Sequence, residues 1–473
     1  MLLYLESLFM LICLFIALAY GEDDVMAFIV SILVTQFSAF VLRMISRNSD
    51  NSMSRRDSFL VVTLAWSMFS LFGTLPFLVG GYCDNFTDAF FESMSGFTTT
   101  GATIFDDVEC LPHGLLFWRS ISQWIGGLGI VFFTIAILPS LAGGSVKVFS
   151  AEATGPIKAK LHPRLSSSTQ SIWVIFLVLT IACCIAYKAL GMGWYDAVSY
   201  SMTTLATGGF APHNDSILHF HSTAMEYVST LFCFLSGINF ILLYRMVMKR
   251  KFLDLFTNTE LRFYLGSIFI FTAFIFIELR LYNNYGIEKA FRCAIYQVVS
   301  FLTTTGLFND DAARWPHVTW VVLAVCMFMG GCAGSTAGGF KSVRCVMLLK
   351  IVQNEFKQML HPRAVLPLRI GDSNVSVQRR VTLFAFLSVY CIMCIVCAFF
   401  MIAAGVDNTN AITITISTLS NVGPTLGTEI GPTMSWDDLP DFAKWVCSLL
   451  MLMGRLEIFS VLIIFTPEFW KKN

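Results

Sequence analysis

Four short stretches decide how this chain is read: FTTTGAT at 97–103, LATGGFA at 205–211, LTTTGLF at 302–308 and LSNVGPT at 419–425. Aligned on glycine, they place Gly101, Gly208, Gly306 and Gly423 in one column. The column before it holds Thr100, Thr207, Thr305 and Val422, and the next one back holds Thr99, Ala206, Thr304 and Asn421. Glycine permits positive φ, so the carbonyls beside it are free to turn toward a common axis. Each stretch closes a moderately apolar segment rich in Ser and Thr: Thr87–Thr100, Trp194–Thr207, Ile287–Thr305 and Asn410–Val422. These segments are too short or too polar to cross a bilayer, and re-entrant segments have this length and character.

The rest of the sequence is built for lipid. The 473 residues include 31 basic and 31 acidic ones; 56% are hydrophobic and only 13% charged. A soluble protein carries roughly 25% charged residues. The composition excludes a disordered chain, a disulfide scaffold and a nucleic-acid binder. Apolar runs long enough to span begin near Leu2, Val25, Phe59, Phe117, Ile172, Ala224, Phe263, Trp320, Val381 and Ala443. The expected fold is an all-α polytopic membrane protein with ten transmembrane helices plus four re-entrant pore helices. Two N-terminal helices (1–50) stand outside four span–pore helix–span repeats at 58–146, 167–251, 261–350 and 379–473. The N-terminal run is read as a span, since it lacks a basic flank and a small-residue cleavage site.

Charge sets the orientation. One side carries Arg43, Arg47, Arg55 and Arg56, then Lys147, Lys158, Lys160 and Arg164, then Arg245, Lys249, Arg250 and Lys251, and later Lys341 to Arg380, Lys471 and Lys472. The opposite side carries Glu22, Asp23, Asp24, Asp84, Asp88, Glu92, Asp106, Asp107, Glu109, Asp310, Asp311 and Glu429, among others. By the positive-inside rule the first side is cytoplasmic, both termini included. All four re-entrant segments then enter from the acidic outer face. Backbone outside a helix survives at membrane depth only where it lines a wet cavity. Four such strips about one axis, a pseudo-fourfold pore, would stack rings of carbonyl oxygens that replace the water shell of a monovalent cation. Helix C-terminal ends aimed at the same axis favour a cation.

At these residues the sequence resembles the Trk/Ktr/HKT superfamily of potassium transporters, most closely its Trk membrane subunits. The resemblance spans essentially the whole chain. FESMSGFTTTGAT, SYSMTTLATGGFAPHND, SFLTTTGLF and STLSNVGPTLG resemble the family's four filter segments in order. RSISQWIGGLGIVFF, GGCAGSTAGGFKSVR and GRLEIFSVLIIFTPEFW resemble other pore-domain signatures. The resemblance implies potassium as the transported ion, bound at the twelve filter residues of the glycine column and the two columns before it. Members with Ser in the first filter tend to prefer sodium; here all four glycines are present. It also implies a homodimer with one pore per subunit, a cytoplasmic nucleotide-binding regulatory ring as partner, and a bacterial cytoplasmic membrane. No organic cofactor or nucleic acid is expected.

GGCAGSTAGGFKSVR, residues 330–344, interrupts the span that begins near Trp320 with five glycines. A continuous helix there would cost about 1 kcal/mol per glycine. The residues alone allow a passive helix break. The resemblance implies an intramembrane gating loop, with Gly330, Gly331, Gly334, Gly338 and Gly339 giving mobility and Ser335, Thr336 and Lys341 giving polar contacts. Arg455 lies within the last span, where a charge faces protein or water. It is either a structural ion pair or, as the resemblance implies, a positive charge beside the pore that impedes cations.

Other features are read more plainly. Glu92, Asp196 and Glu288 either bind ions at the mouth or cap the re-entrant helices. His113, His213, His219 and His221 are read as loop residues, not metal ligands. Cys83 and Cys110 flank one outer segment and sequence does not set their distance. Cys391, Cys394 and Cys397 are read as small apolar residues of a helix in lipid, not as a metal or disulfide cluster. Trp118, Trp124 and Trp194 are read as interfacial anchors. An enzyme is not expected: no H-E-x-x-H is present, nor a G-x-S-x-G with a plausible His. A channel-like pore is favoured over an alternating-access carrier, whose repeats are usually inverted. Proton- or sodium-coupled symport and mixed potassium/sodium conduction remain as alternatives.

Overall fold

The computed structural model describes residues 1–48, 54–129, 165–249, 257–364, 366–371, 373–427, 431 and 433–471. Among these the only strands are a two-residue antiparallel pair, Arg369–Ile370 with Ser373–Asn374. All else that is regular is helical. Six helices are long and apolar enough to cross a membrane: Leu2–Tyr20, Val25–Ile45, Arg56–Val79, Gln170–Ala189, Thr259–Leu281 and Val377–Ala403. They expose large side chains such as Phe15, Phe37, Phe269, Ile395 and Phe399, a surface that water would not tolerate and lipid does. The chain is a multi-pass membrane protein.

The spans expected near Ala224 and Ala443 are not straight. Thr223–Ser236 and Phe240–Val247 meet at 104°, and Asp441–Arg455 and Ile458–Phe465 at 113°. The first break falls at Gly237, after which the Asn239 side chain accepts a hydrogen bond from Ile241 N (2.9 Å) and starts a new helix. The second falls at Glu457, which takes a φ of +58°. A third break, the expected one, separates His317–Met329 from Ser342–Leu360. The span begun near Phe117 is helical over His113–Leu128 and reaches Gly129; the remainder of its expected range, to 146, lies outside the described residues. So do Lys147, Lys158, Lys160, Arg164, Arg250, Lys251, Glu429 and Lys472.

Four short, largely buried helices sit among these spans: Phe86–Phe97, Trp194–Ala206, Ile287–Leu302 and Asn408–Ser420. We call them pore helices. The first starts where Asn85 accepts from Asp88 N (2.8 Å), the fourth where Asp407 accepts from Thr409 N (3.0 Å). Loops that share a sign of charge in the sequence meet in space. Glu22 accepts from His113 N (2.6 Å), and Asp107 accepts from the Asn214 side chain (2.8 Å). At the basic end Arg56 donates to the Lys471 carbonyl (2.5 Å).

All fourteen cysteines are free; Cys83 is buried, and Cys110 donates to Asp107 (2.9 Å). Trp118 and Trp124 are not interfacial. Both are buried, and Trp118 donates to the Gly73 carbonyl (3.1 Å).

One ion pair ties the last span to the first pore helix: Lys444 Nζ lies 2.5 Å from Asp88 Oδ1, with Lys444 buried. Removing one member of a buried pair strands the other, at about 3–5 kcal/mol. Lys444→Met is therefore expected to lower the unfolding temperature in detergent clearly. Adding Asp88→Asn should restore most of the loss in the same thermal scan.

Candidate ion pathway

Each pore helix ends the same way. Thr99, Thr207, Thr304 and Asn421 all take left-handed conformations, with φ of 54°, 54°, 56° and 55°. The amides one residue further on, of Thr100, Gly208, Thr305 and Val422, bond back five residues to Ser95, Thr203, Ser300 and Ser417 carbonyls at 2.8–2.9 Å. The left-handed residues bond back three, to Gly96, Thr204, Phe301 and Thr418 at 3.0–3.2 Å. This pair of bonds is the Schellman motif. Glycine usually fills its left-handed position; three threonines and an asparagine do so here, at a cost on the order of 1 kcal/mol each.

Two residues after each left-handed residue comes a second one: Gly101 (φ +83°), Gly209 (+83°), Gly306 (+78°) and Gly423 (+95°). The second segment therefore differs from its sequence reading by one position. Its equivalent glycine is Gly209, and Thr207, Gly208 and Gly209 match Thr99, Thr100 and Gly101. Ala206 falls back into the helix end with Thr98, Thr303 and Ser420. Aligning on the first glycine of LATGGFA causes the slip. The apolar residue closing each helix turn, Phe97, Leu205, Leu302 and Leu419, carries the correct register.

These glycines form a ring. A Cβ built on Gly101 would strike the Gly208 carbonyl oxygen; on Gly209, that of Thr305; on Gly306, that of Val422; on Gly423, that of Thr100. The order runs first to second, third, fourth and back to first. All four segments therefore pack backbone against backbone about one line. All four glycines line a single cavity of about 90 Å³, with Gly101 and Gly209 partly open to it.

Buried side chains brace the ring. Gln123 donates to the Gly208 carbonyl (2.8 Å) and accepts from Phe210 N (3.1 Å), spanning the second segment. Asn421 donates to Thr100 Oγ1 (3.0 Å), joining the fourth segment to the first. Thr98 and Thr100 hydroxyls lie 2.9 Å apart, and Thr303 and Thr305 2.7 Å. Ser417 donates to the Pro424 carbonyl (2.8 Å). Sequence reading missed Gln123, whose apolar helical surroundings made it inconspicuous.

The three carboxylates considered as mouth ligands all have partners. Glu92 is buried and pairs with buried Arg119 at 2.7 Å; Arg119 in turn stacks 4.2 Å from the Phe210 ring and lines the cavity. Glu288 pairs with Arg292 at 2.8 Å. Asp196 faces His213 Nε2 at 3.5 Å, and this contact raises the His213 pKa above its ordinary value.

On the other side of the ring lies the glycine-rich loop. Thr336 Oγ1 donates to the Leu205 carbonyl (3.0 Å), Gly338 N to Thr304 Oγ1 (2.7 Å) and Gly339 N to the Ser420 carbonyl (3.0 Å). The loop thus touches the ends of three pore helices. Gly330 has φ +68° and packs against the Gly338 carbonyl; Gly334 and Gly339 are also left-handed. Gly331 packs on Ala337. Ser335 bonds locally to the Cys332 carbonyl (2.6 Å). Lys341, buried, donates to the Ala337 carbonyl within the loop. Glu260, absent from the sequence reading, accepts from Ala333 N (2.6 Å). Arg455 reaches back from the last span to this loop. It donates to the loop carbonyl of Thr336 (2.9 Å) and to the carbonyls of Gly126 and Gly127. Glu457 pairs with Arg344 at 2.7 Å.

A multi-pass helical protein in which four short buried helices end at glycines lining one cavity has the build of a transport protein. The TrkH family, described as cation transport protein, matches residues 24–472. The chain is 37% identical to the Trk system potassium uptake protein TrkH of Halomonas elongata, covering 100% of this chain and 98% of that one. It is 36% identical to TrkH of Escherichia coli K12, covering 97% and 95%. The crystal structure of the potassium transporter TrkH from Vibrio parahaemolyticus superposes with a TM-score of 0.88 at 35% identity, covering 99% and 97%. The chain belongs to the TrkH family of cation transport proteins; it is not an enzyme.

The register correction has a direct test. A methyl group at Gly209 meets a neighbour's carbonyl on a left-handed backbone, whereas one at Gly208 meets the Gln123 side chain, which yields more readily than abutting main chain. Gly209→Ala should cut cation flux in proteoliposomes more deeply than Gly208→Ala at equal protein loading. The reverse order would restore the original register.

Proposed function

We propose that this chain conducts potassium into the cell through a channel-like pore whose selectivity filter is the backbone of residues 99–101, 207–209, 304–306 and 421–423. One observation carries this: four left-handed glycines, each against the next segment's carbonyl, close into a ring on one cavity. Oxygens fixed in that way substitute for the hydration shell of a monovalent cation. Relatives covering nearly the whole chain are named potassium uptake proteins, and the filter motifs of this chain carry all four glycines.

The finer architecture follows the same reading. Ten spans and four pore helices are arranged in four repeats (58–146, 167–251, 261–350 and 379–473), with residues 1–50 outside them. Six straight spans, two bent ones and the spans holding His113–Leu128 and His317–Met329 support that count. The acidic loops face out, and both termini lie in the cytoplasm of a bacterial inner membrane. Two copies associate, each with its own pore, and a cytoplasmic nucleotide-binding Trk component regulates them. Inward flow is driven by the membrane potential, worth about 2.3 kcal/mol per charge per 100 mV.

The loop at 330–344 is the gate. It lies against three pore-helix ends, and Arg455 ties it to the helix end at Gly126 and Gly127. The Arg455 charge beside this path also repels cations.

The wild-type chain, co-expressed with the regulatory component, should restore growth of a potassium-uptake-deficient bacterium on low-potassium medium. Gly101→Ser, which forces the Gly208 carbonyl aside, should lower the potassium-to-sodium flux ratio several-fold. An unchanged ratio would remove the ring as the filter. Potassium flux that depends on a proton or sodium gradient would favour symport.

Arg455→Ala deletes both the tie and the charge. It is expected to raise potassium flux at constant expression, measured as rubidium uptake into liposomes. A fall, or no change, would count against Arg455 as part of the gate.

A further inference from the structure

Beside the cavity two loops bring together three side chains that sequence spacing keeps far apart. Glu109 lies in the loop after the first glycine segment, and His213 and His219 lie after the second. One ligand atom from each lies within 4.8 Å of the others. Glu109 Oε1 is 3.2 Å from His213 Nδ1 and 4.0 Å from His219 Nδ1. The two imidazoles stack in parallel, with centroids 3.6 Å apart and planes 4° apart. Zinc held by nitrogen and oxygen at about 2.0–2.2 Å in a tetrahedron sets its ligand atoms about 3.3–3.5 Å apart. The closer pair already fits. Glu109 and His219 are exposed, so the His219 ring is free to turn out of the stack and bring its Nδ1 to an ion held by the other two.

The surroundings are those of a supported site. With Nδ1 of His213 turned to the metal, Nε2 points at Asp196 Oδ1, 3.5 Å away. That buried nitrogen makes no hydrogen bond in the structure. A carboxylate behind a ligating histidine fixes its tautomer and raises its basicity. Asn214 clamps the two loops: its Oδ1 accepts from Val108 N (2.9 Å) and its Nδ2 donates to Asp107 (2.8 Å). Glu109 N donates to Asp107 as well (3.0 Å). Two imidazoles and one carboxylate suit zinc and its late first-row neighbours and leave a coordination position for water.

His213 and Asn214 also line the cavity that holds the four glycines. We infer that Glu109, His213 and His219 form a transition-metal site on the rim of the pore entrance, and that a divalent ion bound there impedes potassium entry. The binding stands on the three side chains alone. The effect on flow rests on the pore reading given above.

Zinc is titrated into the purified full chain against a fluorescent zinc indicator, with cobalt absorption reporting coordination. One equivalent per chain is expected. Glu109→Gln, His213→Ala and His219→Ala should each weaken binding by roughly tenfold or more. His219→Cys keeps a ligand and should retain it. Thermal scans confirm that each variant is folded. Absence of stoichiometric zinc, or wild-type affinity in all three substitutions, overturns the site. In liposomes, external zinc should slow potassium uptake several-fold by the wild type and leave His219→Ala unaffected. Zinc that binds but does not slow uptake overturns the effect on entry. A wild type that, reconstituted with the regulatory component, shows no potassium flux in zinc-free buffer refutes the pore reading, and the titration then decides the metal site by itself.

Discussion

The structure depends on a close approach that only glycine allows. At four places a backbone carbonyl occupies the position that a Cβ of the neighbouring segment would need. At these four contacts main chain meets main chain, so the spacing there is set by covalent geometry and van der Waals contact. Flexible side chains would adjust to ions of different size; abutting main chains adjust much less. On the function proposed above, this is why the selective surface is read as backbone, the least distinctive atoms of the chain. It is also why the residues around it are so uniformly buried: Thr99, Thr100, Thr207, Thr304, Thr305, Asn421 and Val422 all lie in the interior.

Holding that geometry requires strain to be balanced locally. Each pore helix ends with a left-handed non-glycine residue and, two residues on, a left-handed glycine. Two backbone bonds close each helix end, and side chains from neighbouring spans add to them. Gln123 reaches both a carbonyl and an amide of the second segment, while Asn421 bridges the fourth segment to the first and to the Met451 carbonyl (2.8 Å). The braces differ from repeat to repeat although the backbone repeats. A fourfold main-chain pattern is thus carried by an asymmetric set of side chains, as expected when the geometry of the oxygens is the feature held constant.

Much of this was legible in the sequence because backbone requirements leave marks there. The four glycines, the short Ser- and Thr-rich segments and the long apolar runs follow from φ, from helix length and from lipid. What stayed hidden depends on three-dimensional neighbours. Gly208 and Gly209 are indistinguishable as letters; the left-handed φ of Gly209 and its contact with the next segment's carbonyl separate them. The breaks at Gly237 and Glu457 sit in runs apolar enough to read as unbroken. Glu92 stays open in sequence between ligand and helix cap because Arg119, its buried partner, is 27 positions away. His213 and His219 looked like ordinary loop residues because Glu109 is 104 positions from the first of them.

The glycine-rich loop and the ring are mechanically one object. Gly338 bonds to Thr304, Gly339 to Ser420 and Thr336 to Leu205, so the loop is fastened to residues that end the third, fourth and second pore helices. Each such bond is worth about 1 kcal/mol net, but a buried partner left unmatched costs about 1–3 kcal/mol. Withdrawing the loop dry would leave the Leu205 and Ser420 carbonyls without these donors inside the protein. Withdrawing it with water following would not, because water satisfies the freed carbonyls. Loop displacement and wetting of the space beneath the ring are therefore energetically coupled. On the gating reading proposed above, the Arg455 tie to Thr336 sets part of the threshold, since its guanidinium would exchange a protein carbonyl for water when the loop withdrew.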